Sequence, residues 1–552
     1  MKVLIVSLAS QYIHSALAPW YLLEASKNNC NSGISVKVIE GTVNENVIDV
    51  FNRIDNEKAD VISFSVYIWN VKKVLSLAKQ LKNDNVKIVL GGPEVSYCAD
   101  KILSENKFVD CILSGEGEES FPELLNAFYN DTDLSLVNGL SYRNNDTVFL
   151  GQPYISKNVP VCPYGDEYLK SLNGRISYIE TSRGCPFSCA FCLSGRCGGV
   201  RYFPIERAKS DIITLANSGS KIIKFVDRTF NANRKRAYEI FSFIISNYGS
   251  AIPDNVCFHF EIAGDLLINE DFELLKTAPK GAVQFEIGMQ SFNERTLEAV
   301  NRKTNVEKLK ENILRLISLK NIHIHIDLIA GLPYEDFNSF RDSFNTAFIL
   351  KADMLQLGFL KLLHGASMRE DNKKYPLEYS DEPPYEVIAT PWLTRNNIEM
   401  LKACENALER FVNSGRFSYT NKLIFEDQGR NPFDTLTQLG MFTGYVSCSL
   451  SEYVDKIYNF FAVGCDNNLL RDALICDVAS SVKSNVLPSS LKVDDKRLSK
   501  FKKSLEMNES TKKKVGVMRN AFLLYGEGCG AYVDYDAEVN GKFKINKIKF
   551  EI

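Results

Sequence analysis

Short apolar runs alternate with amphipathic stretches over the first two thirds of the chain. The first runs fall at 3–7, 35–39, 61–65, 87–90 and 111–113, with helical periodicity at 17–27 and 71–81. Continuous short apolar runs separated by helices predict strands buried on both faces, in a doubly wound parallel sheet. Ligands of such sheets sit beyond the carboxyl ends of the strands. Those places hold Ser65 and Tyr67, then Gly91-Gly92-Pro93, then Gly115-Glu116-Gly117. Glycines there permit φ > 0 and a close backbone approach to a ligand, although each tripeptide is also an ordinary turn.

After a connector with Pro and Gly around 151–174, strands are expected at 176–181, 222–227, 257–262, 283–290, 322–328 and 355–360. Six strand and helix units predict a partial parallel barrel. Side chains alternate across a strand. His259 and Glu261 therefore oppose Phe258, Phe260 and Ile262, while Gln284, Glu286, Gly288 and Gln290 oppose Val283, Phe285, Ile287 and Met289. His323, His325 and Asp327 likewise oppose Ile322, Ile324, Ile326 and Leu328. The apolar faces must meet the surrounding helices, so the polar faces line the lumen. Such a lumen is costly to bury unless something pairs with it, which predicts a ligand-filled or wet cavity.

Beyond residue 370, Pro376, Pro383, Pro384 and Pro391 interrupt the chain. Helical periodicity returns at 398–414 and 469–484, and 521–552 reads as strands and turns. The whole is α/β: a first domain over 1–135, a linker over 136–174, a barrel over 175–370 and a mostly helical C-terminal domain over 371–552, which shows no catalytic constellation. Basic residues crowd 492–519, with Lys512, Lys513 and Lys514 consecutive. A charge run is usually a solvated face. No aromatic platform interleaves it, so a nucleic-acid partner is not expected.

The chain's 552 residues, 45% hydrophobic and 24% charged with a net charge of −3, are ordinary for globular domains and give no general affinity for polyanions. No apolar run approaches the ~18 to 20 residues that span a bilayer, and the short start Val3–Val6 does not resemble a signal peptide. A cytoplasmic location without a membrane partner is expected. Fourteen cysteines, scattered apart from one cluster, read as reduced thiols rather than a disulfide framework.

That cluster is Cys185, Cys189 and Cys192, with intervals of three and two residues. An iron–sulfur cubane held only by protein takes four cysteines, so a set of three leaves one iron open to a small molecule. The alternative is zinc, which usually draws four ligands from two separated pairs, and no second pair lies at such spacing. Cys197 reads as structural, with a catalytic or resolving role as its alternative. His323 and His325 suit lumen hydrogen bonding or, alternatively, zinc. His14 reads as a loop or packing residue.

The Cys-x3-Cys-x2-Cys run, with Phe191 before its last cysteine, and the approach Ile179–Pro186 resemble the radical S-adenosylmethionine (SAM) superfamily. The resemblance implies a four-iron four-sulfur cluster on the three cysteines, SAM on the open iron, and reductive cleavage to a 5′-deoxyadenosyl radical, the cofactors carrying the hard chemistry. It further implies that Asp227 meets the amino end of SAM, Glu261 the ribose, and Phe191 the adenine, with Gln290, Ser291 and Gly331 close by. The glycine loops ahead of this motif resemble the cobalamin-binding domain of the cobalamin-dependent branch. That puts Ser65, Tyr67, Gly91, Gly92, Pro93, Gly115, Glu116 and Gly117 beside the corrin. The Asp-x-His-x-x-Gly motif that supplies a lower axial histidine is absent, so cobalamin is expected without one. The C-terminal domain resembles an uncharacterised one appended to some of these proteins.

These resemblances imply a cobalamin-dependent radical SAM enzyme, most plausibly transferring methyl to an unactivated carbon or phosphorus. It would be fed by a one-electron reductant such as flavodoxin or ferredoxin and act on a small molecule or peptide; no general base is assigned. Three alternatives remain: other radical chemistry with a degenerate first domain, a non-enzymatic iron–sulfur sensor, and a methylthiotransferase. The last needs three cysteines at strand ends of the first domain, where Cys30, Cys98 and Cys111 are not expected.

Overall fold

The computed structural model describes residues 1–145, 147–483, 487–506, 521–539 and 541–550. The chain forms two compact units, one of Met1–Glu335 with Phe359–Trp392 and one of Asp336–Gly358 with Leu393–Ile552. Among the described residues no helix is long and apolar enough to cross a membrane.

The first sheet of the larger unit runs in the order Ser35–Thr42, Lys2–Ala9, Val61–Ser65, Lys87–Gly91, Cys111–Leu113, Leu140–Asn144 and Thr147–Phe149. Its first five strands are parallel and follow the flavodoxin-like order. Val3, Leu4, Ile5 and Val6 are essentially inaccessible, as a strand covered by helices on both faces requires. The last two strands are antiparallel and were not anticipated. They carry Arg143, Asn144 and Thr147 at a half-exposed edge, so they leave no apolar run to read.

The second sheet of this unit takes Ser177–Ile179, Ile222–Phe225, Cys257–Ile262, Val283–Gln290 and His323–Ala330 in chain order, all parallel. The sixth expected strand forms as Met354–Phe359. Burial along Val283–Gln290 alternates without exception, and Val283, Phe285, Ile287 and Met289 are the covered set. Their apolar side meets an aromatic cluster in which Phe260 lies 4.4 Å from Phe225, 4.6 Å from Phe230 and 5.0 Å from Phe241, ring centre to ring centre. Burying each such ring contributes roughly 1.5–3 kcal/mol, which fixes the polar side toward the interior of the barrel.

The smaller unit is mostly helical, with π-helical stretches at Leu408–Asn413 and Lys422–Asp427. Helices Arg395–Ala407 and Pro432–Thr443 cross so closely that a Cβ on Gly440 would fall 1.8 Å from the Ala403 carbonyl oxygen. A three-stranded antiparallel sheet, Ala521–Leu524, Cys529–Val539 and Lys542–Ile548, closes the chain. Asp472 holds its first turn by accepting from the backbone of Tyr525 at 3.0 Å, Gly526 at 2.7 Å and Glu527 at 3.3 Å. The lysine run 512–514 lies outside the described residues.

Candidate active site

Two hollows lie at the strand ends of the larger unit. The first, of about 600 Å³, opens over the first sheet and brings together all eight loop residues singled out there: Ser65, Tyr67, Gly91, Gly92, Pro93, Gly115, Glu116 and Gly117. Two glycines are sterically required. Gly92 sits at φ +113° with its Cβ position 2.5 Å from the Val66 oxygen, and Gly115 at φ +95° with its Cβ position 2.1 Å from the Tyr154 oxygen. No L side chain adopts either place without strain. Asn70, which the sequence did not flag, locks the Tyr67 loop. It accepts from the Tyr67 amide at 2.8 Å and donates to the Leu8 and Ser65 carbonyls at 3.0 Å each. Among the described residues no histidine lines this cavity, and Cys30, Cys98 and Cys111 are not in its wall either.

The second hollow, of about 180 Å³, is walled by Cys185, Cys189 and Cys192 together with Phe191, Glu261 and Gln290. The three thiols are free. Cys185 Sγ lies 3.5 Å from Thr229 Oγ1, and the Ser194 amide is 3.4 Å from Cys192 Sγ. Burial pushes the Cys189 thiol up, against the pull of the Arg302 guanidinium 3.9 Å away. Among the described residues no three His, Cys, Asp or Glu side chains converge as they would on one metal ion. Three cysteines sharing a pocket wall instead match the donor set of a cluster with one iron left open. The pocket also contains buried polar atoms with no protein partner, Gln290 Oε1 and Arg302 Nε, which a ligand would satisfy. Gln290 stands at φ +70° beside a register shift between Gly288 and Gln290, a local break that aims its amide inward.

The polar faces form a charge network. Glu286 lies 2.8 Å from His259 Nε2 and accepts from Lys224 Nζ at 3.0 Å. Burial opposes its charge, but these two partners hold its carboxyl down at about 2. Arg228 grips both oxygens of Glu261, at 2.9 and 2.7 Å. His325 Nε2 lies 3.0 Å from Asp327 Oδ1, and although burial opposes protonation this carboxylate raises the ring's pKa. His323 is exposed at the strand's start, whereas His325 is buried.

Three of the sequence-derived SAM residues lie outside the pocket wall. Asp227 is 1% exposed and turned into the fold. Its carboxylate accepts from the Thr181 amide at 2.8 Å, Thr181 Oγ1 at 2.6 Å and Ser182 Oγ at 2.7 Å, pinning the approach to Cys185. Ser291 is buried and donates to Glu335 at 2.6 Å. Gly331 packs its α-carbon against Val387. The side chain of Cys197 lies outside the described residues.

Arg183, two residues before Cys185, lines the sheet-end cavity. It pairs with Glu116 at 3.2 Å, Glu118 at 2.5 Å and Glu180 at 2.9 Å. Burial opposes its charge, yet the carboxylates keep it firmly protonated. Glu116 is also paired with Arg201, so its carboxylate is already committed to guanidinium groups. Ser194 lines both hollows. A strap within Phe359–Trp392 touches both loops: the Met368 amide donates to Ala190 O at 3.0 Å, and the Tyr385 hydroxyl donates to the buried Glu94, beside Gly92-Pro93.

Comparison with known families gives three successive matches: a B12 binding domain over 3–125, the radical SAM superfamily over 179–347, and a protein family of unknown function, DUF4080, over 373–522. An uncharacterized methyltransferase of Pyrococcus horikoshii is 31% identical over 220 residues, covering 37% of this chain and 48% of its own length. The cobalamin-dependent radical SAM methyltransferase TokK of Streptomyces tokunonensis is 30% identical over 311 residues, 51% of this chain and 44% of the relative. The chain thus spans about half the length of these curated relatives. The solved structure of the cobalamin-dependent SAM radical enzyme OxsB with aqua-cobalamin bound matches the fold at a TM-score of 0.63 and 14% identity, over 90% of this chain and 82% of that one.

The chain carries a match to a radical SAM domain over its barrel, with a B12-binding match ahead of it and a DUF4080 match behind it. The first two domains imply a four-iron four-sulfur cluster, SAM and cobalamin as its cofactors.

Proposed function

We propose that the protein is a cobalamin-dependent radical SAM enzyme that transfers a methyl group to an unactivated carbon or phosphorus. The observation that carries this reading is the shared wall of the two hollows. Glycine loops face one, three free thiols face the other, Ser194 lines both, and Arg183, two residues ahead of Cys185, lines the first and pairs with its Glu116 and Glu118. Bound there, the cluster and SAM would supply a carbon-centred radical, and cobalamin a transferable methyl group.

The chain's own residues hold and orient. Cys185, Cys189 and Cys192 would ligate the cluster, while Phe191, Glu261 and Gln290 face the place left for SAM. Asp227 holds the cysteine loop at its entry, and Arg302 sets positive charge beside Cys189. The loops at Ser65–Tyr67, Gly91–Pro93 and Gly115–Gly117 would receive the corrin. A flavodoxin- or ferredoxin-type protein would supply electrons.

The test is anaerobic reconstitution with iron, sulfide and cobalamin, then reduction with methyl-labelled SAM and a cell extract. Formation of 5′-deoxyadenosine with label transferred to a new product is expected. Cleavage without cobalamin retention would point to other radical chemistry, and no cleavage by fully loaded protein would sink the enzyme reading.

A further inference from the structure

A third hollow, of about 550 Å³, lies against the other two, sharing Tyr67 and Arg183 with the sheet-end cavity and Arg228 with the cysteine pocket. We propose that it is the substrate chamber and that it takes an uncharged molecule bearing a flat aromatic or heteroaromatic ring. Its role as substrate chamber rests on the radical SAM reading above; the ring preference rests on the wall alone. Its volume is in the range of small-molecule sites.

Four aromatic side chains, Tyr21, Tyr67, Trp69 and Tyr178, stand in the wall among small and aliphatic residues. Tyr67 and Trp69 stack in parallel, 4.5 Å apart and 4° from coplanar. Trp69 is anchored by its indole N–H on the Leu8 carbonyl at 3.1 Å and keeps 47% of its surface open. Tyr21 and Tyr178 add two more rings. An indole held by its edge with surface left uncovered is a ready stacking surface.

The charged groups on the wall are already matched. Glu118 and Glu180 both pair with Arg183, and Arg228 is held by Glu261. A charged ligand would have to break one of these pairs and strand its partner. The remaining polar groups are neutral hydroxyls, of Ser7, Ser10, Ser15 and the tyrosines, and His14, whose Nδ1 lies 2.7 Å from the Tyr178 hydroxyl. Burial, with Lys224 and Arg175 nearby, lowers its pKa, so the ring is neutral at neutral pH. Its loop is fixed in advance: Arg175 donates to Tyr12 O at 3.1 Å and His14 O at 2.7 Å while paired with Glu40 at 2.7 Å. The chamber therefore offers stacking and neutral hydrogen bonding.

Calorimetric titration of the full chain, loaded with cluster and cobalamin, tests this with indole as probe and cyclohexanol and benzoate as controls. Indole should bind at one site, and each control at least about tenfold more weakly. Trp69→Ala should weaken indole about tenfold, and Trp69→Phe by no more than about threefold, with both variants melting as the wild type does. Failure of indole to bind loaded protein, equal binding of benzoate, or indifference to Trp69→Ala would overturn the proposal. So would binding confined to cobalamin-free protein, which would assign the hollow to the corrin. SAM cleavage in the same preparation is scored separately. Cleavage without indole binding removes the chamber alone, and indole binding without cleavage removes the enzyme reading while leaving the ring preference standing.

Discussion

The cavity over the first sheet is shaped by backbone, whereas the pocket in the second sheet is shaped by paired side-chain charges. Gly92 and Gly115 bring main chain to within a few ångströms of main chain. Glu286 with His259 and Lys224, and Glu261 with Arg228, instead place formal charges on a lumen covered from outside by phenylalanines. A site whose loops approach one another this closely is damaged by added volume. A charge-walled site tolerates volume better and responds to pH and to loss of a partner.

The largest separation of the two should come from Cys192→Ala. Removing one of three thiols is expected to abolish iron retention and SAM cleavage while cobalamin retention stays at the wild-type level; iron and cobalamin assayed on one sample would decide it. Loss of both cofactors together would show that the hollows are not independent. Gly92→Val should act in the opposite sense. The residue sits at φ +113° with Val66 O 2.5 Å from its Cβ position, so strain and overlap together cost about 3–5 kcal/mol. Cobalamin retention should collapse with the iron content unchanged.

The pH response belongs to the charged pocket. Glu286 is held at about 2 against an ordinary 4.5. A depressed carboxylate contributes stability that is fully present above its unfolded value and is lost as pH falls through the folded one. Between those two values the fold should lose on the order of 3 kcal/mol that depends on this group. Urea midpoints measured down that range should fall more steeply for the wild type than for Glu286→Gln; parallel curves would mean the pairing with His259 and Lys224 contributes nothing.

The contrast also explains what could be read from the sequence. Alternation in Val283–Gln290 and the glycines after three parallel strands are local properties, and local properties survive into the fold. The eight loop residues accordingly line one cavity, and Glu261 and Gln290 share a pocket with the three cysteines. Asp227 was harder because its strand ends at Phe225, two residues earlier, so strand parity no longer says where its carboxylate points. Arg183, Arg302 and Tyr385 were not legible because each acts across a tertiary contact. Arg302 reaches back 113 positions to Cys189, and Tyr385 reaches back 291 to Glu94. The edge strands Leu140–Asn144 and Thr147–Phe149 were hidden by their polarity.

The smallest effect probes the strap that touches both loops. Tyr385 donates to Glu94, whose carboxyl burial already pushes up, and Arg369 lies 4.4 Å over the tyrosine ring. Tyr385→Phe keeps the ring and the Arg369 contact but takes away the donor, leaving a buried carboxyl beside Gly92-Pro93 to find a proton. The cost is about 1–2 kcal/mol, less at low pH, where Glu94 takes up that proton more readily. Because Glu94 adjoins the backbone-walled cavity, the loss should appear as cobalamin retention weakened about fivefold to tenfold and partly restored on acidification, with iron content untouched. The strap's other contact, Met368 to Ala190, lies on the cysteine loop and is not altered by this change. A fall in iron equal to the fall in cobalamin would therefore mean that the strap moves as one piece and that the two walls are coupled through it.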